Sequence, residues 1–330
     1  MTVSSAQADA FYVEAMRECT MWGINDAGGF PAPHGDGETR AMPFWSLRSR
    51  AETRRVRARR QVQRGTDRWR RRILGPVLTD VLRMEVNGND PDDEAVALLE
   101  HEGWGHFTAM QVRNGRTRGL DFHLTRLAGA HREIYGRELD GDLVRARIRH
   151  ALDGVPDASV RVYGYWAGLI VTVRGPQEMP MRPHSMLTQH FQRPVARLKH
   201  AGSWGQGRFG QIAAAAGFDE ALLVDETGRI AEGEVTNVGF WRDGTVLWPD
   251  GPRLDGITML AIQRELSTAG APQADATVRV ADLAECNGMI LCNSRGWAPV
   301  GRVDDLRVSE DDAFTRLIAT AYNSCPRDEI

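Results

Sequence analysis

One primary amine stands apart in this chain. Of its 41 basic residues, 40 are arginines and one, Lys199, is a lysine. A GC-rich coding bias replaces surface lysine with arginine, and that pressure should have removed Lys199 too. Arginine stays protonated, whereas a buried lysine can lose its proton and attack a carbonyl. A surviving lone amine therefore points to Schiff-base chemistry, with chance survival as the plain alternative. Three further segments carry groups that would serve such chemistry. Glu232-Gly233-Glu234-Val235-Thr236-Asn237-Val238 begins 33 residues after the lysine. Leu254-Asp255-Gly256-Ile257-Thr258 reads as a turn opening a helix, where free N–H groups and a hydroxyl make an anion site. Asn293-Ser294-Arg295-Gly296-Trp297-Ala298-Pro299-Val300 is a polar turn after an apolar strand.

An amine, a carboxylate and two hydroxyl-bearing turns meet the needs of pyridoxal 5′-phosphate. The amine condenses with the aldehyde. Phosphate requires N–H and O–H donors with a guanidinium. The ring nitrogen takes up electrons when protonated, and a nearby carboxylate favours that state.

The order and spacing of these segments resemble the fold-type IV (class IV) pyridoxal-phosphate enzymes, namely branched-chain and D-amino-acid aminotransferases and aminodeoxychorismate lyase, over about residues 96–305. The E-G-x-x-x-N pattern followed by L-x-G-I-T carries most of the likeness. Upstream, Phe107 to Val112 and then Asp121-Phe122-His123-Leu124-Thr125-Arg126-Leu127 resemble the family's strand and H-x-x-R-L opening. The resemblance implies that Lys199 is the Schiff-base lysine and proton shuttle and that Glu232 holds the pyridine nitrogen. Arg126, the Ile257 N–H and Thr258 would grip phosphate, completed by Asn293 or Ser294. Thr236 and Asn237 would position the ring or its neighbouring loop. Three positions depart from the pattern: Trp204 stands where relatives carry a tyrosine, Met259 where an arginine follows G-I-T, and Glu234 within a motif of small polar residues. These leave cofactor binding intact and bear on substrate and reaction type.

The elements that must position these groups follow from periodicity. His106 to Val112 alternates like a strand, with Asn114-Gly115 as a hairpin turn. Leu124 to Ile134 reads as helix, Val160 to Val173 as strands, and Pro176 to Gln192 as an interdomain connector. Phe209 to Gly217 and Thr258 to Ala269 read as helices, and Glu220 to Val224, Ile230-Ala231 and Gly288 to Cys292 as strands. Upstream lie a helical rhythm from Ala6 to Met21, a glycine- and proline-rich stretch from Asn25 to Thr39, and twelve arginines between Arg48 and Arg72. The expected class is α+β: a two-domain D-amino-acid aminotransferase-like core with an N-terminal α+β accessory domain. The expected domains are 1–95 (accessory), 96–190 (small α+β) and 191–330 (large, cofactor-binding). The first 95 residues resemble a small uncharacterised bacterial domain family through Met21-Trp22-Gly23-Ile24 and Met42-Pro43-Phe44-Trp45-Ser46.

Composition excludes other classes. A chain of 330 residues with 42% hydrophobic and 26% charged residues is neither disordered nor fibrous. Net charge is −3, and the arginine run has a local excess of ten, leaving −13 elsewhere. Nucleic acid is therefore not the expected partner; a solvated or docked helix face accounts for the run. Four separated cysteines read as free thiols, and the absence of an apolar span or leader makes the cytoplasm the expected location. Gly205-Gln206-Gly207-Arg208-Phe209-Gly210 matches a dinucleotide fingerprint but lacks the preceding apolar strand, and reads as a flexible helix entry. His101-Glu102-Gly103-Trp104-Gly105-His106 has the wrong spacing for a zinc helix, so no metal is expected. Arg182-Pro183-His184 is a candidate carboxylate trap or a plain connector.

The reading that follows is a class IV aminotransferase acting on a small amino acid or amine, with a keto acid as second substrate and a homodimer as the assembly. The alternatives are a lyase of the aminodeoxychorismate kind and a non-catalytic binding protein that keeps the fold.

Overall fold

A computed structural model of the chain describes residues 22–23, 44–45, 81–91 and 104–330. The chain divides into two compact units, Met1–Thr79 and Asp80–Ile330. In the first, β1 (Trp22–Gly23) pairs antiparallel with β2 (Phe44–Trp45). The expected helix Ala6 to Met21, the glycine-rich stretch and the arginine run lie outside the described residues.

The second unit begins with β3 (Val81–Val86), β4 (His106–Val112) and β5 (Arg116–Arg118). Asn114 and Gly115 both take positive φ, 52° and 70°, which closes the turn between β4 and β5. Helices α1 (Leu120–Tyr135) and α2 (Gly141–Leu152) follow, then β6 (Ala158–Tyr165) and β7 (Gly168–Arg174). Asp140 caps α2 by accepting from Asp142 N at 2.9 Å. The four strands form an antiparallel sheet in the order β3-β7-β6-β4. Alternate residues of β4 are buried, so one face of the sheet packs on the helices. Met110, Val112, Val160, Val162, Val171 and Val173 meet Leu127, Val144 and Ile148 there. Each such buried side chain contributes about 1.5–3 kcal/mol. The opposite face of β4 and β6 is left for other work.

The accessory region was expected to run to residue 95, but the compact division falls at residue 79 because β3 pairs along β7. The expected connector also needs correction. His184–His190 within it is β8, an inner strand of the larger sheet, parallel to both its neighbours. Met186 is fully buried, and prolines flanking the strand masked its alternation.

Helix α3 (Trp204–Ala215) leads to β9 (Glu220–Val224), β10 (Ile230–Gly233), β11 (Asn237–Arg242) and β12 (Thr245–Pro249). Next come α4 (Ile257–Thr268), β13 (Gln273–Ala276), β14 (Gly288–Asn293), β15 (Gly296–Val303) and β16 (Leu306–Arg307). The chain ends in α5 (Asp312–Ser324) and β17 (Arg327–Glu329), which pairs with β5. The large sheet runs β10-β9-β8-β15-β14-β11-β12-β13, with β16 on β15. Met259, Ile262 and Leu266 of α4 and Phe314 and Ile318 of α5 cover Trp248, Ile290 and Cys292 on one part of it. The G-x-G-x-x-G segment forms the first turns of α3 from its second residue onward and follows no apolar strand, so it is helix and not a dinucleotide-binding turn. Among the described residues no helix is long and apolar enough to cross a membrane, and no His, Cys, Asp or Glu cluster is arranged to hold a metal ion.

Candidate active site

Lys199 sits on the loop between β8 and α3, and its backbone is tied to the start of β4. Its carbonyl accepts from Phe107 N at 2.8 Å, and Ala201 N donates to Gly105 O at 2.6 Å. The amine lies 4.8 Å from the centre of the Phe107 ring. Burial is the largest influence on that amine. With Arg126 and Arg193 beside it, and Arg161 adding a little, burial brings the pKa from 10.5 down to about 7, while Glu232 pulls the other way. A sizeable share of the amine is thus unprotonated near neutrality, which a nucleophile toward a carbonyl requires.

Glu232 is buried at the end of β10. One carboxylate oxygen accepts from Arg193 Nε at 3.0 Å and the other from Leu254 N at 3.0 Å. Burial pushes its pKa upward against the pull of Arg193 and the Leu254 amide. Arg193, which no sequence pattern singled out, is itself buried and also donates to the Leu198 and Ala196 carbonyls. One guanidinium therefore holds both the carboxylate and the lysine loop. The available signal was weak: an arginine six residues before the lone lysine, in a chain with 40 arginines.

At the other end stands Arg126, projecting from α1. It donates to Thr108 Oγ1, and the same oxygen lies 2.6 Å from His123 Nδ1. Its Nε is buried with no hydrogen-bond partner. Burial, and Arg193 after it, bring its pKa down to about 10. Facing it is the first turn of α4. Gly256 caps that helix without a side-chain bond, so the early N–H groups stay available. A Cβ at Gly256 would collide with Asn237 Oδ1, so only glycine fits there. Asn237 Nδ2 donates to Leu254 O at 2.7 Å and fixes that turn. Thr258 Oγ1 donates to Asn293 O at 2.7 Å, and Asn293 Oδ1 accepts from Arg295 N at 2.8 Å.

A cavity of about 420 Å³ joins these groups. Lys199, Arg126, Asn237, Ile257, Thr258, Asn293 and Ser294 all line it. Glu232 and Thr236 do not. Glu232 lies behind the lining, close enough to act on Lys199. Thr236 is buried and donates to Glu220 Oε1 at 2.7 Å, so it braces the loop from below instead of facing the cavity. Among the described residues the lining contains Arg118, Arg161 and Arg295 besides Arg126 and Lys199, and no Asp or Glu. Such a wall selects anions. Arg161 could have been suspected from strand alternation: it lies between buried Val160 and Val162, opposite Ala109 of β4.

Several other candidates lie elsewhere. Arg182 pairs with Asp219 at 2.5 Å and does not line the cavity, so the proposed carboxylate trap is not assembled here. Trp204 is 81% exposed at the start of α3. Of the suspected zinc segment, residues 101–103 are outside the described residues; His106 opens β4 and its Nε2 lies 3.1 Å from His131 Nδ1. Cys286, Cys292 and Cys325 are free and buried.

The family described as amino-transferase class IV matches residues 105–303. Among solved structures, the T.th. branched-chain amino acid aminotransferase complexed with N-(5′-phosphopyridoxyl)-L-glutamate superposes with a TM-score of 0.65 at 19% identity, covering 73% of this chain and 92% of that one. A hypothetical aminotransferase from Mycobacterium tuberculosis, bound to alpha-ketoglutarate and PMP, gives 0.65 at 22% identity, covering 73% and 98%. A fold IV-transaminase from Curtobacterium pusillum gives 0.61 at 21% identity, covering 69% and 88%. These likenesses establish the fold. No curated protein sequence matches the chain significantly.

Proposed function

The chain belongs to the class IV amino-transferases, and from that premise we propose that it moves amino groups between small amino acids or amines and keto acids through Lys199, with pyridoxal 5′-phosphate as cofactor. The observation that carries this reading is a buried amine, its pKa brought down to about 7, that shares one cavity with a set of open phosphate donors, with no Asp or Glu among the described lining residues.

The residues present fit the cofactor. Arg126 Nε is buried without a partner, and the uncapped first turn of α4 offers N–H groups with no acceptor from a capping side chain. Phosphate oxygens answer both. Arg126, the Ile257 N–H, Thr258 and Ser294 would hold that group, with Asn293 shaping the turn through Arg295 N. When bound, pyridoxal phosphate supplies an aldehyde that condenses with amines and a conjugated ring that accepts electrons from the substrate Cα. Lys199 Nζ would make the covalent link and, once displaced by substrate, carry the proton from Cα. Its lowered pKa suits it to take that proton at neutral pH. Glu232, held by Arg193 and Leu254 N, would sit toward the ring nitrogen and favour its protonated state. Arg161 would receive the substrate carboxylate. Phe107 and Leu254 line the cavity as apolar surface and would limit water at the reacting atoms.

The test is an absorbance spectrum of the protein with added pyridoxal phosphate, followed by a panel of L- and D-amino acids without a keto acid. A visible band absent from Lys199→Ala, and stoichiometric pyridoxamine phosphate after amine addition, would support transamination. Formation of pyruvate or another elimination product without pyridoxamine phosphate would favour the lyase alternative. No cofactor uptake would end the proposal. Light scattering in solution would test the expected homodimer.

A further inference from the structure

A second cavity of about 360 Å³ adjoins the first and shares Gln111, Arg118, Arg295 and Tyr322 with it. Its own part is walled by the β4–β5 turn, the start of β15, α5 and the C-terminal strand β17. Arg113, Arg118, Arg295 and Arg327 line it, against one acid, Glu178. We propose that this cavity is an anion site, built to take a compact oxoanion group such as a carboxylate or phosphate.

The argument begins with strand pairing. Arg327 and Arg118 are direct partners across β17 and β5, an arrangement that repels in the absence of a counter-charge. The neighbouring positions of this ladder are not like-charged: Asp328 meets Thr117 and Glu329 meets Arg116. Next comes the shortage of internal partners. Arg118 lies over the Tyr322 ring at 4.2 Å, and its Nε is buried without a hydrogen-bond partner. Its Nη1 makes a long contact of 3.4 Å with Tyr322 Oη. Arg113 is the exception, since it donates to Val112 O at 2.8 Å and Gln177 O at 2.9 Å; these acceptors are neutral, and the acid it reaches, Glu178 at 3.7 Å, is 83% exposed and a weak surface pairing. Arg295 also acts on buried Glu220, and Arg327 feels Asp157. Neither acid lines the cavity. The guanidiniums are thus gathered around a space, and the lining lacks the charge that would balance them. A planar, multi-donor group is suited to carboxylate and phosphate oxygens.

This inference stands on the arginines and not on the reaction assigned above. The cofactor-loaded protein is used in the test because the cofactor's phosphate then fills the Arg126 cup. Inorganic phosphate is titrated into that protein by calorimetry. Saturable binding is expected, weakened about tenfold in Arg327→Gln and at least as much in Arg118→Gln, since each removes charge-assisted hydrogen bonds. Arg327 is exposed and does not line the Lys199 cavity, so its variant should keep the visible absorbance and the circular dichroism spectrum of the parent. If Arg118→Gln does not fold, Arg327→Gln carries the test alone. Absence of saturable binding, or binding equal in parent and Arg327→Gln, overturns the proposal. Should the protein take up no cofactor, phosphate binding that still depends on Arg327 upholds this site while the cofactor reading fails. The source of the group is read from kinetics. Phosphate that competes with a dicarboxylate keto acid but not with a monocarboxylate one places a substrate's distal group here. Phosphate that competes with neither marks a separate anion.

Discussion

Two ends of the active cavity treat charge in opposite ways. Beneath Lys199 the protein answers its own charges: Glu232 meets Arg193 at 3.0 Å, both nearly sealed from solvent. Across the cavity, Arg118, Arg126, Arg161 and Arg295 face open space with no acid among the described lining residues. The first end is finished by folding. The second is left incomplete, and an anion must complete it. Self-compensation fixes geometry and tunes Lys199; unmet positive charge is what recruits ligands. The same contrast separates Arg193, each of whose three guanidinium nitrogens meets a protein acceptor, from Arg126, whose buried Nε meets none.

The comparison can be broken most severely at the amine. Lys199→Ala should lower turnover by at least ~10³-fold, because nothing else in the cavity supplies a primary amine. Steady-state rates with the best donor measure this, and a variant within tenfold of the parent would sink the assignment. Next is the self-compensated pair. Arg193→Ala leaves Glu232 buried and unpaired, for an expected stability loss of about 3–5 kcal/mol. Chemical denaturation checks it, and Arg193→Met combined with Glu232→Gln should recover part of the loss.

The unfinished end is probed by Arg161→Gln. It should raise KM for a carboxylate-bearing donor about 10–100-fold while leaving a simple amine little changed. Equal effects on both substrates would argue against a carboxylate contact. A finer probe is pH. Below about 7 Lys199 is mostly protonated, so covalent attachment of the cofactor should quicken with rising pH and level off above that value. Removing a neighbouring cation with Arg161→Gln should move the midpoint up toward the ordinary lysine range; Glu232→Gln should move it down. Stopped-flow absorbance across a pH series reads both shifts. The smallest effect is expected at Thr236→Val, which takes one hydrogen bond from buried Glu220. A loss of about 1 kcal/mol in a melting experiment, with KM unchanged, would agree with its bracing position.

Much of this was legible along the chain, and the reasons differ by residue. Lys199 was conspicuous because composition made it unique. Strand β4 was readable because half its residues are buried in strict alternation. The Gly256–Thr258 turn was readable because a helix start offers free N–H groups beside a hydroxyl; that Gly256 makes room for Asn237 came only with the fold. Strand β8 was missed because prolines and methionines surround it, and its burial depends on neighbours far away in sequence. Thr236 sat within a telling motif, yet the bend between β10 and β11 turned its hydroxyl toward Glu220.

The primary structure alone determined that a single amine, a following carboxylate motif and an anion-binding helix start occur in this order. It also determined the local periodicities that build their supporting elements. Only the tertiary structure decided which of 40 arginines face the cavity, which one clasps Glu232, and that burial brings Lys199 to about 7. The physical reason is that periodicity separates the two faces of a strand or helix without telling which of them meets a cavity. Desolvation and Coulomb interaction depend on distances through space, and those exist only once the sheets have closed around the site.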